Sequence, residues 1–190
     1  MNESIRTFIA IEVPEDVRSE AGRLQKQLAT TGGMVSWVKP QNLHLTVKFL
    51  GSVDASRLQI VLPLIRTAVS ASHSFEVQFE RLGCFPNDRQ PRVVWLGLTE
   101  LPTAFTGLFC SIEEQLAAAG FPKETRAFKP HLTLARIRPS QHINSLMSAL
   151  KAVTFHSKSF RVQEVIVMKS QLTRSGAIYT PLEKLRLQST

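Results

Sequence analysis

The 190-residue sequence predicts an α+β fold of two pseudo-symmetric lobes, with a cleft between them. Each lobe is expected to be a largely antiparallel sheet with helices packed on its outer face. Three observations predict this. Strand-like and helix-like hydrophobic patterns run in the same order twice. Phe8 and His44 are 36 residues apart, and so are Trp95 and His131. A segment of the form His, apolar, Thr, apolar occurs once in each half, at His44 and at His131, 87 residues apart. So long a period suggests two lobes rather than a solenoid. The chain therefore reads as one bilobal domain with an internal duplication, roughly 5–83 and 92–169, plus a C-terminal strand region.

The elements follow from local pattern. Residues 6–13 are rich in strand formers and stop at Pro14. Val17, Ala21, Leu24 and Leu28 fall at helical spacing, and Gly32-Gly33 ends that helix. Residues 35–38 and 43–50 read as strands, the second closed by Gly51. Leu58, Val61, Leu62 and Ile65 mark a helix over 55–71, which Pro63 should kink. Residues 75–82 alternate as a half-buried strand does, and 84–91 is a Pro- and Asn-bearing loop. The order then restarts: strand 92–98, helix 102–119, a break at Gly120-Phe121-Pro122, strand 131–137, helix 141–152, strand 160–169 and a final strand region 177–187. Adding 87 to Phe75 lands on Val162, inside the matching later strand.

Composition narrows the class. No apolar run approaches the ~20 residues of a spanning helix, and the opening residues do not read as a signal peptide. A soluble, cytoplasmic protein is the expectation by elimination, and a monomer is expected. Cys84 and Cys110 lack the spacing of a zinc or CxxC motif and read as thiols in a reducing compartment. A net charge of +8 makes a polyanion, nucleic acid first, the partner to consider.

The chemistry is expected at the paired segments His44-Leu45-Thr46-Val47 and His131-Leu132-Thr133-Leu134. In a strand, residues i and i+2 share a face. His44 and Thr46 therefore point one way while Leu45 and Val47 point the other, and the second segment repeats this. Two imidazoles facing each other suit phosphoryl transfer, in which water must lose a proton and an alkoxide must gain one. The Thr46 and Thr133 hydroxyls can donate to phosphate oxygens. Metal binding ranks lower, because neither segment has a third ligand beside it; no cofactor and no metal are expected. His73, His142 and His156 lack the motif and read as solvated. Lys48 shares the parity of His44 and extends the same face. Arg136 has the opposite parity to His131 and reaches the cleft only if the strand bulges. Arg126 and Lys129 precede the second motif and are candidates for a nucleic-acid backbone, a solvated surface charge being at least as good a reading. Phe49 and Phe128 are candidates for base stacking, core packing being the better reading for Phe49, and Trp37 is ambiguous.

With these flanks, the sequence resembles the 2H phosphoesterase superfamily, and within it the bacterial and archaeal RNA 2′,3′-cyclic phosphodiesterases, also called 2′-5′ RNA ligases. The likeness runs through Arg6-Thr7-Phe8-Ile9-Ala10-Ile11, Trp37-Val38, His44 to Gly51, Lys129 to Arg136, and Lys169-Ser170-Gln171-Leu172. It implies hydrolysis of an RNA 2′,3′-cyclic phosphate to a 2′-phosphate, with His44 as proton donor and His131 as proton acceptor. It also implies reversible, ATP-independent 2′-5′ ligation. The alternatives are an RNA-binding module without turnover and a phosphodiesterase for small cyclic nucleotides.

Overall fold

β1 (Ser4–Glu12) buries five consecutive residues, Thr7 to Ile11, as a strand covered on both faces does. Ile9 and Ile11 turn into the main core, while Phe8 and Ala10 turn to the opposite face and pack with Ile166 and Met168. The structure is a computed structural model and describes residues 4–32, 35–138, 143–174 and 176–189.

The chain continues through α1 (Glu15–Ala29), β2 (Val35–Trp37), a 3₁₀ turn (Pro40–Asn42), β3 (His44–Asp54), α2 (Ala55–Ser70) and β4 (Phe75–Val77). The rest is β5 (Phe79–Phe85), β6 (Val93–Leu98), α3 (Thr103–Ala118), β7 (His131–Ile137), α4 (Asn144–Ala152), β8 (Phe160–Val162), β9 (Glu164–Thr173) and β10 (Gly176–Arg186). The fold is α+β. One sheet path runs β10-β9-β1-β3-β7-β6-β5, with β2 also on β7, and β4 pairs separately with β8. The named strand pairs are antiparallel throughout. α2 packs on α3 and α1 on α4. Their inner residues, among them Leu24, Ile65, Ile112 and Leu146, share one core with Leu45 and Leu132.

Several local expectations are revised. The strand over 75–82 is two strands broken at Gln78, and the strand over 160–169 is two broken at Gln163. In each case the short first arm pairs with its counterpart and the second crosses to the other half: β5 joins β6, and β9 joins β1. β2 crosses likewise, onto β7. Strand β3 does not stop at Gly51 but runs on to Asp54. Gly51 has φ 73°, which a glycine adopts at little cost, and it sits where the β1–β3 register shifts. Helix α2 runs on through Pro63 to Ser70.

Two pairings carry the relation between the halves. Leu45 pairs with Leu132, and Phe75 with Val162. Both join residues 87 apart, the separation of His44 from His131. At these two points, residues related by the 87-residue offset face each other across an antiparallel ladder. The two halves of the large sheet thus meet between β3 and β7 at one backbone pair. Among the described residues no helix is long and apolar enough to cross a membrane.

Candidate active site

Leu45 and Leu132 are fully buried and point into the core at the joint between the half-sheets. Strand alternation sends their neighbours to the other face. His44, Thr46, His131 and Thr133 are each half-buried there. Antiparallel register around the Leu45–Leu132 pair brings His44 toward Thr133 and Thr46 toward His131. The two motifs therefore cross, each imidazole lying opposite the other strand's hydroxyl and diagonal to the other imidazole.

Both imidazoles are held the same way. His44 Nδ1 lies 2.8 Å from the carbonyl oxygen of Asn42, and His131 Nδ1 lies 2.7 Å from that of Lys129. A carbonyl only accepts, so Nδ1 carries the hydrogen and Nε2 is left to take or give a proton. Aromatic rings fix both orientations. His44 packs against Phe8 at 4.9 Å and edge-on to Tyr179 at 5.1 Å. His131 packs edge-on to Phe85 at 4.9 Å, with Trp95 at 6.3 Å. Phe8 and Trp95 are again 87 residues apart. The Trp95 indole lies over Gly83, where a Cβ would come within 2.3 Å of the ring, so only glycine leaves it room.

Burial lowers the pKa of both histidines. The carbonyl bonds at Nδ1 oppose this, and the positive charge of Arg136 adds to it at both rings. His44 is further lowered by His131. Burial raises the pKa of the Tyr179 phenol, partly offset by Arg136 and Arg6.

A cavity of ≈ 430 Å³ opens on this face, lined by His44, Thr46 and Thr133 together with Arg6, Phe8, Trp37, Phe49, Arg136 and Tyr179. His131 is not part of the lining. It is tied to the cavity through Thr133 and through its charge interaction with His44.

Two bulges decide what else faces the cavity. On β3, Thr46 pairs with Ala10 and Lys48 with Ile9, leaving Val47 as the extra residue. On β7, Thr133 pairs with Trp95 and Ala135 with Val94, leaving Leu134. Val47 and Leu134 are equivalent, 87 residues apart. Each bulge buries two residues in succession and inverts the parity beyond it. Lys48 is thereby removed from the face expected for it. It is buried, pairs with the equally buried Glu113 and donates to the Pro122 carbonyl oxygen at 3.0 Å. Phe49 and Arg136, the next residue in each half, turn into the cavity instead. The bulge required for Arg136 is present.

The sequence profile described as LigT-like phosphoesterase matches residues 11–95 and 98–179. This chain belongs to that family. As a LigT-like, 2H phosphoesterase it is an enzyme. It is 35% identical over 184 residues to the RNA 2′,3′-cyclic phosphodiesterase of Methanothermobacter thermautotrophicus, covering 96% of this chain and 99% of the relative. It is 32% identical to the protein of the same name from Methanocaldococcus jannaschii, covering 95% and 99%. Among solved structures, TT0787 of Thermus thermophilus superposes with a TM-score of 0.81 at 28% identity, covering 97% of this chain and 99% of that one. E. coli LigT in complex with 3′-AMP superposes with a TM-score of 0.79 at 28% identity, covering 98% and 99%.

The other expected residues of this LigT-like chain fall as follows. Arg126 is fully exposed and pairs with Glu124, and Lys129 is exposed. Neither lines the cavity. The two phenylalanines exchange roles. Phe128 stacks on Phe109 at 4.0 Å and meets Phe105 edge-on, whereas Phe49 is 64% exposed. Trp37 lines the cavity. His73 and His156 are exposed, the latter paired with Glu80, and His142 lies outside the described residues. Cys84 is buried, its pKa pushed up to about 11 by burial, and Cys110 is exposed; both are free thiols. Among the described residues no three His, Cys, Asp or Glu side chains gather as a metal site does.

Sequence reasoning missed Tyr179, Phe85, Arg6 and Asn42. Asn42 Nδ2 donates to the Ala177 carbonyl oxygen at 2.8 Å, fastening the turn before His44 to β10. Phe8 and Trp95 carried a usable signal, an aromatic 36 residues before each motif histidine. Tyr179 and Phe85 carried none, because crossed strands deliver them.

Proposed function

We propose that this protein hydrolyses 2′,3′-cyclic phosphate at the end of an RNA to a 2′-phosphomonoester. The observation that carries the reading is the crossing of the two His-x-Thr segments, each imidazole held at Nδ1 with Nε2 free. His131 takes a proton from water as the water oxygen bonds to phosphorus. The bond from phosphorus to the ribose 3′-oxygen breaks, and His44 gives that oxygen its proton. Thr46 and Thr133 donate to the non-bridging oxygens, and Arg136 neutralises their charge. With an RNA 5′-hydroxyl in place of water, the same steps yield a 2′-5′ linkage. The names of the relatives support the RNA terminus, as does the net charge of +8. The site draws on one chain only, and the free thiols suit a cytoplasmic setting.

The deciding test is product identification. A short RNA ending in 2′,3′-cyclic phosphate is incubated with the protein in excess chelator and the product resolved by mass and ³¹P NMR. A 2′-phosphate is expected. Binding with an unchanged terminus would leave a module without turnover. Faster turnover of a cyclic mononucleotide than of the oligonucleotide would shift the substrate to small cyclic nucleotides. Loss of activity in chelator would end the metal-free scheme.

The lowered pKa of both histidines gives a second expectation. A cyclic phosphodiester stays a monoanion across the neutral range, so the kcat/KM profile reports the two histidines. Both are lowered from about 6.5, so the bell is expected to centre below that pH. Arg136→Gln removes a positive charge that disfavours both imidazolium forms, so both limbs are expected to move to higher pH.

Phe49 gives a third. Its exposed ring at the rim is placed to stack on a base next to the cyclic end. Phe49→Ala is expected to raise KM for an oligonucleotide by the equivalent of about 1–3 kcal/mol, the usual worth of one base–aromatic stack. The kcat is expected to change little. An unchanged KM would remove Phe49 from the RNA path.

A further inference from the structure

Arg136 faces the cavity only because β7 bulges at Leu134, and a side chain outside the cavity holds that bulge. Gln25 lies on α1 and is only 6% exposed. Its Nε2 is 2.8 Å from the carbonyl oxygen of Leu134 and 2.8 Å from that of Val38. A primary amide nitrogen has two hydrogens, so each carbonyl receives one. The Val38 amide also donates to the Leu134 oxygen at 2.9 Å. The extra residue of a bulge is left out of the ladder, and its polar groups need other partners. Here the carbonyl of that residue is served from α1 and from the end of β2. The same amide thus fixes Val38, whose neighbours Trp37 and Lys39 line the cavity, and the residue that sets the parity of Arg136. Gln25 is not part of the cavity lining.

We propose that Gln25 is a positioning residue for Arg136, acting through the Leu134 bulge on phosphate binding. The proposal rests on the phosphodiesterase reading for its consequence in turnover. Removing the amide takes the side-chain donor from the part-buried Val38 carbonyl and leaves the buried Leu134 carbonyl with the Val38 amide alone. The cheapest repair is a shift of β7 toward regular pairing, which turns Arg136 away from the phosphate.

The test compares wild type, Gln25→Met, Gln25→Glu, Arg136→Gln and the Gln25→Met/Arg136→Gln double variant. Methionine keeps the volume without a donor, and glutamate keeps the shape but sets an acceptor against two acceptors. Turnover of a cyclic-ended RNA, its pH profile and the affinity for inorganic phosphate are read for each, after unfolding midpoints establish that the variants fold. Gln25→Met is expected to lower kcat/KM on the order of 10- to 100-fold, the scale of a misplaced group. Its pH bell should move up toward that of Arg136→Gln. In the Arg136→Gln background it should cost nothing further. Losses that multiply in the double variant, or a bell that stays in place, overturn the proposal. So does loss of the fold in both Gln25 variants, which would make the residue purely structural. Phosphate affinity separates the two readings. If wild type fails to turn over RNA, the function reading falls, while matched losses of phosphate affinity in Gln25→Met and Arg136→Gln, with no further loss in the double variant, still support the positioning role.

Discussion

Alanine at His44 or at His131 is expected to lower turnover of a cyclic-ended RNA by ~10²–10⁴-fold, the usual worth of a positioned acid or base. Little stability should go with it. Both rings are only half-buried, and each makes one hydrogen bond, to a backbone carbonyl two residues earlier. The double variant is expected to lose far less than the product of the single losses, because groups that act in one step do not contribute independently. The leaving group tells the two roles apart. If the 3′-oxygen of the cyclic phosphate is replaced by sulfur, a thiolate leaves without being protonated. His44→Ala should then recover much of its loss and His131→Ala should not. Recovery by His131→Ala instead would exchange the assignments, and full activity in either variant on the natural ester would remove that histidine from the mechanism.

Glu113→Leu is expected to destabilise the protein by about 3–5 kcal/mol, the penalty for leaving a buried charge without its partner. Lys48 and Glu113 expose only 7% of each side chain. Glu113 Oε2 also accepts the amide of Glu124 at 2.8 Å, and Lys48 donates to the Pro122 carbonyl oxygen. The pair thereby fastens β3, α3 and the chain leading to His131. Lys48→Met combined with Glu113→Leu removes both charges, and it should recover most of the stability while leaving the 122–124 segment less firmly held. Urea unfolding of the single and double variants is the measurement. If Glu113→Leu unfolds at the wild-type midpoint, the pair is not a determinant of the fold.

Strand parity was legible as far as the threonines and failed two residues later. His44, Thr46, His131 and Thr133 lie where alternation puts them. Lys48 does not, because Val47 is an extra residue in the β1–β3 ladder. On β7 the signature is two adjacent apolar residues, Leu134-Ala135, which is readable. On β3 it is Val47-Lys48, and a lysine conceals it, since its burial depends on Glu113 lying 65 residues further on. The reversed roles of Phe49 and Phe128 have separate origins: Phe49 follows the inverted parity, and Phe128 finds Phe105 and Phe109 on a helix that periodicity alone does not aim. The order of elements was legible, but the breaks at Gln78 and Gln163 were not. At both points one continuous strand pattern covers a change of partner. Phe85 arrives on a strand that runs into the segment read as a loop, and Tyr179 on the C-terminal strand region, both outside the two repeated halves.

That exchange of strands also orders events in time. β1 leaves the ribosome well before the strand that covers its outer edge, β9, which begins only at Glu164. Until then Phe8 and Ala10 lack Ile166 and Met168, and the β1 edge is open to other chains. Pairings this distant in sequence slow folding and prolong the exposure of unpaired edges. A ribosome stalled past the first motif therefore holds a chain that already contains His44 and Thr46 but lacks the strand that would close its sheet.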